Sequence, residues 1–147
     1  MQASLSRPPL AENGTAHRLH DVLTQGQLEF LDDPNYAVVT TLRADGSPQS
    51  TVVWIERDGD VPTFNTAYGR TKPTNLERDP RVSILVVAPD FYHWISVSGR
   101  AELTTDGAEE QIDRLSHKYD GKPWAYVEGQ RRVQVRVIPE HVTAYDV

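Results

Sequence analysis

Phe64-Asn65-Thr66-Ala67-Tyr68-Gly69-Arg70-Thr71-Lys72-Pro73-Thr74-Asn75-Leu76-Glu77-Arg78-Asp79-Pro80-Arg81-Val82-Ser83 joins the end of one predicted strand to the start of the next. Val61 to Thr66 reads as a strand, with Pro62 at its beginning where a ladder donor is dispensable. Gly69 marks a turn, and Thr71 to Arg78 predicts a short helix with Thr71 as N-cap and Pro73 in the first turn. Asp79-Pro80 stops that helix, and Val82 to Val87 forms the following strand. The first turn of a helix presents unpaired N–H groups and the positive end of a dipole, so Arg70, Thr71 and Lys72 can hold an anion there. Arginine would add a forked contact to phosphate or carboxylate, and lysine a mobile point charge. By themselves these features equally describe an ordinary strand–helix turn with solvated cations.

Working outward, Tyr36 to Leu42 is β-branched and runs into Asp45-Gly46-Ser47-Pro48, a hairpin signal. Ser50 to Ile55 is the returning strand, and the turn at Arg57-Asp58-Gly59-Asp60 leads to Val61–Thr66, so a three-strand meander is expected. Upstream, Leu19, Val22, Leu23, Leu28 and Leu31 predict an amphipathic helix from Arg18 to Leu31, ended by Asp32-Asp33-Pro34. Residues 1–14 lack periodic apolar character and read as a mobile arm, leaving 15–147 as a single domain. Downstream, Trp94 to Leu103 is a strand, and Gly107 to Tyr119 is a helix with Ala108, Ile112 and Leu115 on one face. Gly121 to Gly129 is a loop carrying Trp124 and Tyr126. Val133, Val135 and Val137 alternate with polar residues, and His141 to Tyr145 reads as a separate last strand. Six or seven strands with three interspersed helices predict an antiparallel α+β domain built on a closed or nearly closed barrel.

Composition narrows the chemistry. A chain of 147 residues with 38% hydrophobic and 24% charged residues suits one globular domain. The net charge of -6 argues against nucleic acid and anionic membrane as partners. With no cysteine, thiolate metal sites, iron–sulfur clusters and thiol nucleophiles are excluded, so any redox chemistry must come from a bound cofactor. The first residues lack the apolar core of a signal peptide and no run is long enough for a membrane span, which makes the cytoplasm the default location.

The order of these pieces resembles the pyridoxamine 5′-phosphate oxidase-like family of split β-barrel flavoproteins. The resemblance runs from about Leu28 to Val142. It is carried by Ala37–Leu42 with Asp45-Gly46-Ser47-Pro48, by Phe64-Asn65-Thr66 with Gly69-Arg70 and Lys72, by Asn75 to Ser83, and by Val97-Ser98-Gly99-Arg100-Ala101-Glu102-Leu103. It implies a homodimer with a flavin or deazaflavin in a groove at the subunit interface. Asn65, Thr66, Arg70, Lys72 and Asn75 would then lie near the cofactor, the basic pair on its phosphate. Ser50-Thr51-Val52-Val53-Trp54 would form the platform for its ring, with Trp94 also at the cleft.

The FMN-binding oxidases of this family usually carry an arginine on the second strand that adds a third phosphate contact. Here Gln49, Ser50 and Thr51 occupy those positions, so a dianionic terminal phosphate would meet fewer cations. The chain is similar to relatives that bind the deazaflavin coenzyme F-420, and Arg70, Lys72, Arg78 and Arg100 are available for its anionic tail. The resemblance thus implies hydride transfer from reduced F-420 to a small unsaturated substrate. The alternatives are an FMN protein, or a non-catalytic carrier of a flavin, deazaflavin or haem-like tetrapyrrole.

No protein nucleophile is needed for that reaction, and no catalytic residue is assigned. Tyr92 and His93 are the candidate proton donors, against the plainer reading of an exposed pair at a strand entrance. Trp124 is a candidate wall on the substrate side. His17 and His20 stand i and i+3 apart but lack further ligands, so no metal site is expected. Ser96, Ser98 and His117 lack the Gly-x-Ser-x-Gly elbow of a serine hydrolase.

Overall fold

The structure is a computed structural model that describes residues 22–147. One antiparallel sheet is built from β1 (Tyr36–Leu42), β2 (Pro48–Val53), β3 (Ile55–Asp58), β4 (Val61–Ala67), β5 (Arg81–Val87), β6 (Trp94–Thr104) and β7 (Arg132–Tyr145). The seven strands lie in the order β2-β1-β5-β6-β7-β4-β3. Helices α1 (Gln25–Asp32), α2 (Thr71–Arg78) and α3 (Ala108–Asp120) flank it. Among the described residues no helix is long and apolar enough to cross a membrane. The predicted arm over 1–14, together with His17 and His20, lies outside the described residues.

Chain connectivity dictates the curvature of the sheet. β2 and β3 are its two edges, yet Trp54 alone separates Val53 from Ile55. Seven strands laid flat at ~4.8 Å spacing would hold those edges ~29 Å apart. Consecutive Cα atoms are only ~3.8 Å apart, so the sheet must curl until its edges meet. No ladder joins β2 to β3, and the result is a split barrel. The expected meander is corrected accordingly: Ser50–Ile55 is two strands, with Val53 opposite Ala37 of β1 and Ile55 opposite Phe64 of β4. Val53 and Ile55 share the parity that faces the core, so the alternating pattern passes through Trp54 unbroken and hides the change of partner.

The core fills the curl. Ala37, Val39, Ile84, Ile95, Val97 and Val135 have no exposed surface and pack with Phe64, whose complete burial contributes roughly 1.5–3 kcal/mol. Leu28 and Leu31 of α1 and Leu76 of α2 join the same cluster. β4 is buried along its whole length because α3 covers its second face, with Asn65 reaching the α3 backbone.

Two other boundaries differ from the sequence reading. α1 begins at Gln25, where Thr24 accepts from the Gln27 N–H and the Gln27 side chain accepts from the Thr24 N–H, a reciprocal cap that starts the helix after Val22 and Leu23. The two strands expected around Val133–Val137 and His141–Tyr145 are one continuous β7. A bulge absorbs the proline between them: Ser98 pairs with His141 and Gly99 with Pro139, leaving Glu140 as the extra residue. At that point the Ile138 carbonyl passes so close that a Cβ on Gly99 would sit 1.8 Å from its oxygen. Gly99→Ala should therefore destabilise the fold by at least ~1–3 kcal/mol, with backbone rather than a pliant side chain as the obstacle. Urea unfolding of the variant checks this, and a midpoint equal to that of the parent protein would refute it.

Candidate functional site

Where the curled edges meet, a groove of about 220 Å³ opens between β2, β4, the start of α2 and α3. Val52, Val53, Trp54, Asn65, Thr66, Arg70 and Lys72, all singled out from the sequence, line it together. Trp124 also lines it, and Ile112, Leu115 and Arg132 complete the walls.

The cationic corner follows from how α2 starts. Gly69 adopts a left-handed φ of 94°, which reverses the chain after β4 at no steric cost. Arg70, not Thr71, is the N-cap, and its side chain makes no capping hydrogen bond. Thr71 is thus the first helical residue, because the extended backbone persists one residue less than its chemistry suggested. The first-turn N–H groups remain uncapped, apart from Pro73, which has none.

Lys72 Nζ donates to Thr51 Oγ1 at 3.1 Å. Burial holds its pKa below the ordinary lysine value, and the neighbouring Arg70 adds to the effect. Arg132, at the start of β7, is only 5% exposed. Its Nε donates to Asn65 Oδ1 at 2.8 Å, its Nη1 donates to Gln130 Oε1 at 2.9 Å, and the Trp124 ring lies 5.1 Å from the guanidinium. Burial lowers its pKa, Arg70 lowers it further, and Glu109 opposes both. Among the described residues no carboxylate stands within ion-pair distance of Arg70, Lys72 or Arg132. In a chain of net charge -6 this is a local positive field inside a partly apolar cleft.

Two buried polar atoms lack a partner among the described residues: Thr66 Oγ1, on the face that Thr66 shares with Val133, and Gln111 Nε2, on α3. Asn65 is fully engaged. Its Nδ2 donates to the Ala108 carbonyl and to Gln111 Oε1, both at 2.9 Å, while its Oδ1 accepts from Arg132. It fastens β4 to α3 and orients the Arg132 guanidinium.

The remaining predicted residues fall elsewhere. Thr51 contributes by holding Lys72. Ser50 shares a 2.7 Å hydrogen bond with Thr40 on β1 and does not line the groove. Asn75 is 3% exposed and donates to Thr41 and Gln49, while Arg78 donates to Asn75 and to the Leu42 carbonyl, so both bind α2 to β1. Trp94 stacks on Tyr145 at 6.5 Å and is not part of the groove, because the register sets it between Val87 and Tyr145. Arg100 lies opposite Arg81 and Ile138. His93 sits between Asp90, at 3.1 Å, and Asp146, at 2.9 Å, so neither it nor exposed Tyr92 reaches the groove.

Arg132 escaped sequence reading because it shares its strand parity with Gln134 and Arg136, which marks all three as facing away from the core. α3 and the Trp124 loop cover the Arg132 end of that outward face and leave Arg136 to pair with Asp58.

Comparison with known proteins agrees with this fold. Over 73 residues the chain is 38% identical to the pyridoxine/pyridoxamine 5′-phosphate oxidase of Aeromonas hydrophila, covering 49% of this chain and 35% of that protein. Over 86 residues it is 33% identical to an F-420H(2)-dependent biliverdin reductase of Mycobacterium tuberculosis, covering 57% of this chain and 61% of that one. The chain thus spans little more than a third of the first relative and under two thirds of the second. A solved structure of an F-420 reductase superposes with a TM-score of 0.71 at 29% identity, covering 82% of this chain and 98% of that chain. The family model for pyridoxamine 5′-phosphate oxidase matches residues 23–145, and with the seven-stranded split barrel this shows that the chain belongs to that family.

Proposed function

We propose that the protein is an oxidoreductase that binds coenzyme F-420 in the groove and serves hydride transfer to a small unsaturated substrate. The observation that carries this reading is the gathering of Arg70, Lys72 and Arg132 in one groove whose lining, among the described residues, includes no carboxylate. Such a donor set fits the anionic tail of a redox coenzyme. The choice of the deazaflavin is supported by the biliverdin reductase and F-420 reductase relatives and by the absence of a cation on β2. On that strand Gln49, Ser50 and Thr51 are occupied by hydrogen bonds to Asn75, Thr40 and Lys72.

When bound, the reduced deazaflavin supplies the hydride. The chain's own groups do the positioning. Arg70 and Lys72 hold the tail, and the β2 backbone at Val52 and Val53, with the exposed Val52 side chain, offers a surface for a ring. Trp54 and Trp124 form a wall that excludes water. Among the described residues the groove lining includes no carboxylate, histidine or tyrosine, so the product's proton comes from solvent. Val52 is 75% exposed and Tyr36 56% exposed on the outer face of β2 and β1, which is where a second copy would complete the cleft in a cytoplasmic homodimer.

Four measurements test this. Fluorescence titration of the protein should show micromolar F-420 binding with weaker FMN binding, and FMN binding without F-420 binding overturns the cofactor choice. Oxidation of reduced F-420 by enones, quinones or tetrapyrroles should accompany it, whereas tight binding without oxidation points to a carrier. Lys72→Met should weaken coenzyme binding by ~1–3 kcal/mol. It should also raise folding stability at neutral pH, where burying the charged amine works against the native state. Because the folded pKa of Lys72 lies below 10.5, the unfolded chain binds more protons in the interval between them. Parent stability should thus rise with pH through that interval and the advantage of the variant shrink, as read from urea unfolding at a series of pH values. A pH-independent difference would contradict the assignment.

A further inference from the structure

We infer that Arg132 is the third cation of the anion site, gripping the charged end of the ligand from the wall opposite α2 and setting how strongly the groove prefers a charged-end ligand. This rests on the reading that the groove takes a coenzyme with an anionic terminus. Three observations support it independently of sequence motifs. First, Arg132 is 5% exposed and its only hydrogen bonds among the described residues are Nε to Asn65 and Nη1 to Gln130. A guanidinium carries five N–H donors, so three, including both on Nη2, have no acceptor among the described residues. Nη2 is not among the fully buried unpartnered atoms, so these donors open on the groove, where an acceptor can reach them.

Second, the remaining freedom of the guanidinium is removed. Asn65 is itself fixed by Ala108 and Gln111, and Trp124 covers the ion at 5.1 Å. Its free donors lie in the guanidinium plane, the geometry that suits a forked contact with phosphate or carboxylate oxygens. Third, Arg70, Lys72 and Arg132 line one groove, and Arg70 lowers the pKa of each of the other two, Glu109 opposing it at Arg132. The site therefore spans α2 and β7, and a phosphate held there is met from two sides.

The test uses ligand pairs that differ only in the charged end: FMN against riboflavin, and F-420 against its phosphate-free ribityl deazaflavin. Dissociation constants are measured by fluorescence for the parent protein, Arg132→Gln and Arg132→Lys. The parent should prefer the charged member of at least one pair. Arg132→Gln should cut that preference roughly 10- to 100-fold while leaving the uncharged member within about twofold, and Arg132→Lys should fall between. An unchanged preference in folded Arg132→Gln overturns the inference, as does a parent protein with no preference in either pair. If Arg132→Gln fails to fold by circular dichroism, an unchanged preference in Arg132→Lys overturns it instead. No turnover is read, so failure of the hydride-transfer reading leaves this result standing, and failure of the inference leaves turnover intact.

Discussion

Val53 and Ile55 belong to opposite edges of a seven-stranded sheet and are joined by one residue. Everything else in the molecule answers to that covalent tie. It forces the sheet to curl, and it brings two unladdered edges side by side. The backbone groups there still need partners. At Ile55 α3 supplies them: the Ile55 carbonyl accepts from Lys118 Nζ at 2.6 Å and the Ile55 N–H donates to Tyr119 Oη at 3.4 Å, while the same two side chains donate to the carbonyls of Leu31 and Asn35, at 2.6 and 2.8 Å. Burial pushes the Tyr119 pKa up to about 12, so the phenol keeps its proton and its donor role across the physiological range. The Trp54 ring lies nearly parallel to Tyr119 at 5.7 Å and meets Trp124 edge-on at 6.3 Å.

Much of this was legible along the chain, and the misses share a cause. β1 and its hairpin were marked by β-branched residues and Asp45-Gly46, where local chemistry decides. α2 was marked by Pro73 and Asp79-Pro80 for the same reason. The partner exchange at Trp54 has no local sign, since neither glycine nor proline stands there and the alternation runs straight through. The unity of β7 was hidden by Pro139, whose compensating glycine lies 40 residues earlier on β6. Of the candidate site, the contiguous cationic turn was readable because its residues are neighbours in sequence. Arg132 was not, because its role depends on a helix and a loop that shelter one end of an otherwise outward-facing strand.

The site and the fold pull in different directions. Lys72 and Arg132 are desolvated cations in the field of a third, an arrangement that opposes folding and that Glu109 offsets only in part and only at Arg132. Local rules are obeyed in the core and broken in the groove, which is the pattern expected where the compensating interaction lies outside the chain. The polar triad of Arg132, Asn65 and Gln111 carries the conflict inward, since its last member keeps an unpaired Nε2 beneath α3.

A barrel closed all round by ladders has a bore fixed by strand number and stagger. This one is closed by a single linking residue, and the rings of Trp54 and Trp124, set edge-on, stand in the mouth as side chains rather than as rungs of a ladder. Trimming or enlarging those rings resizes the aperture without breaking one strand-to-strand hydrogen bond. The same scaffold can thereby be refitted to guests of different girth, with the cationic anchor left where it is.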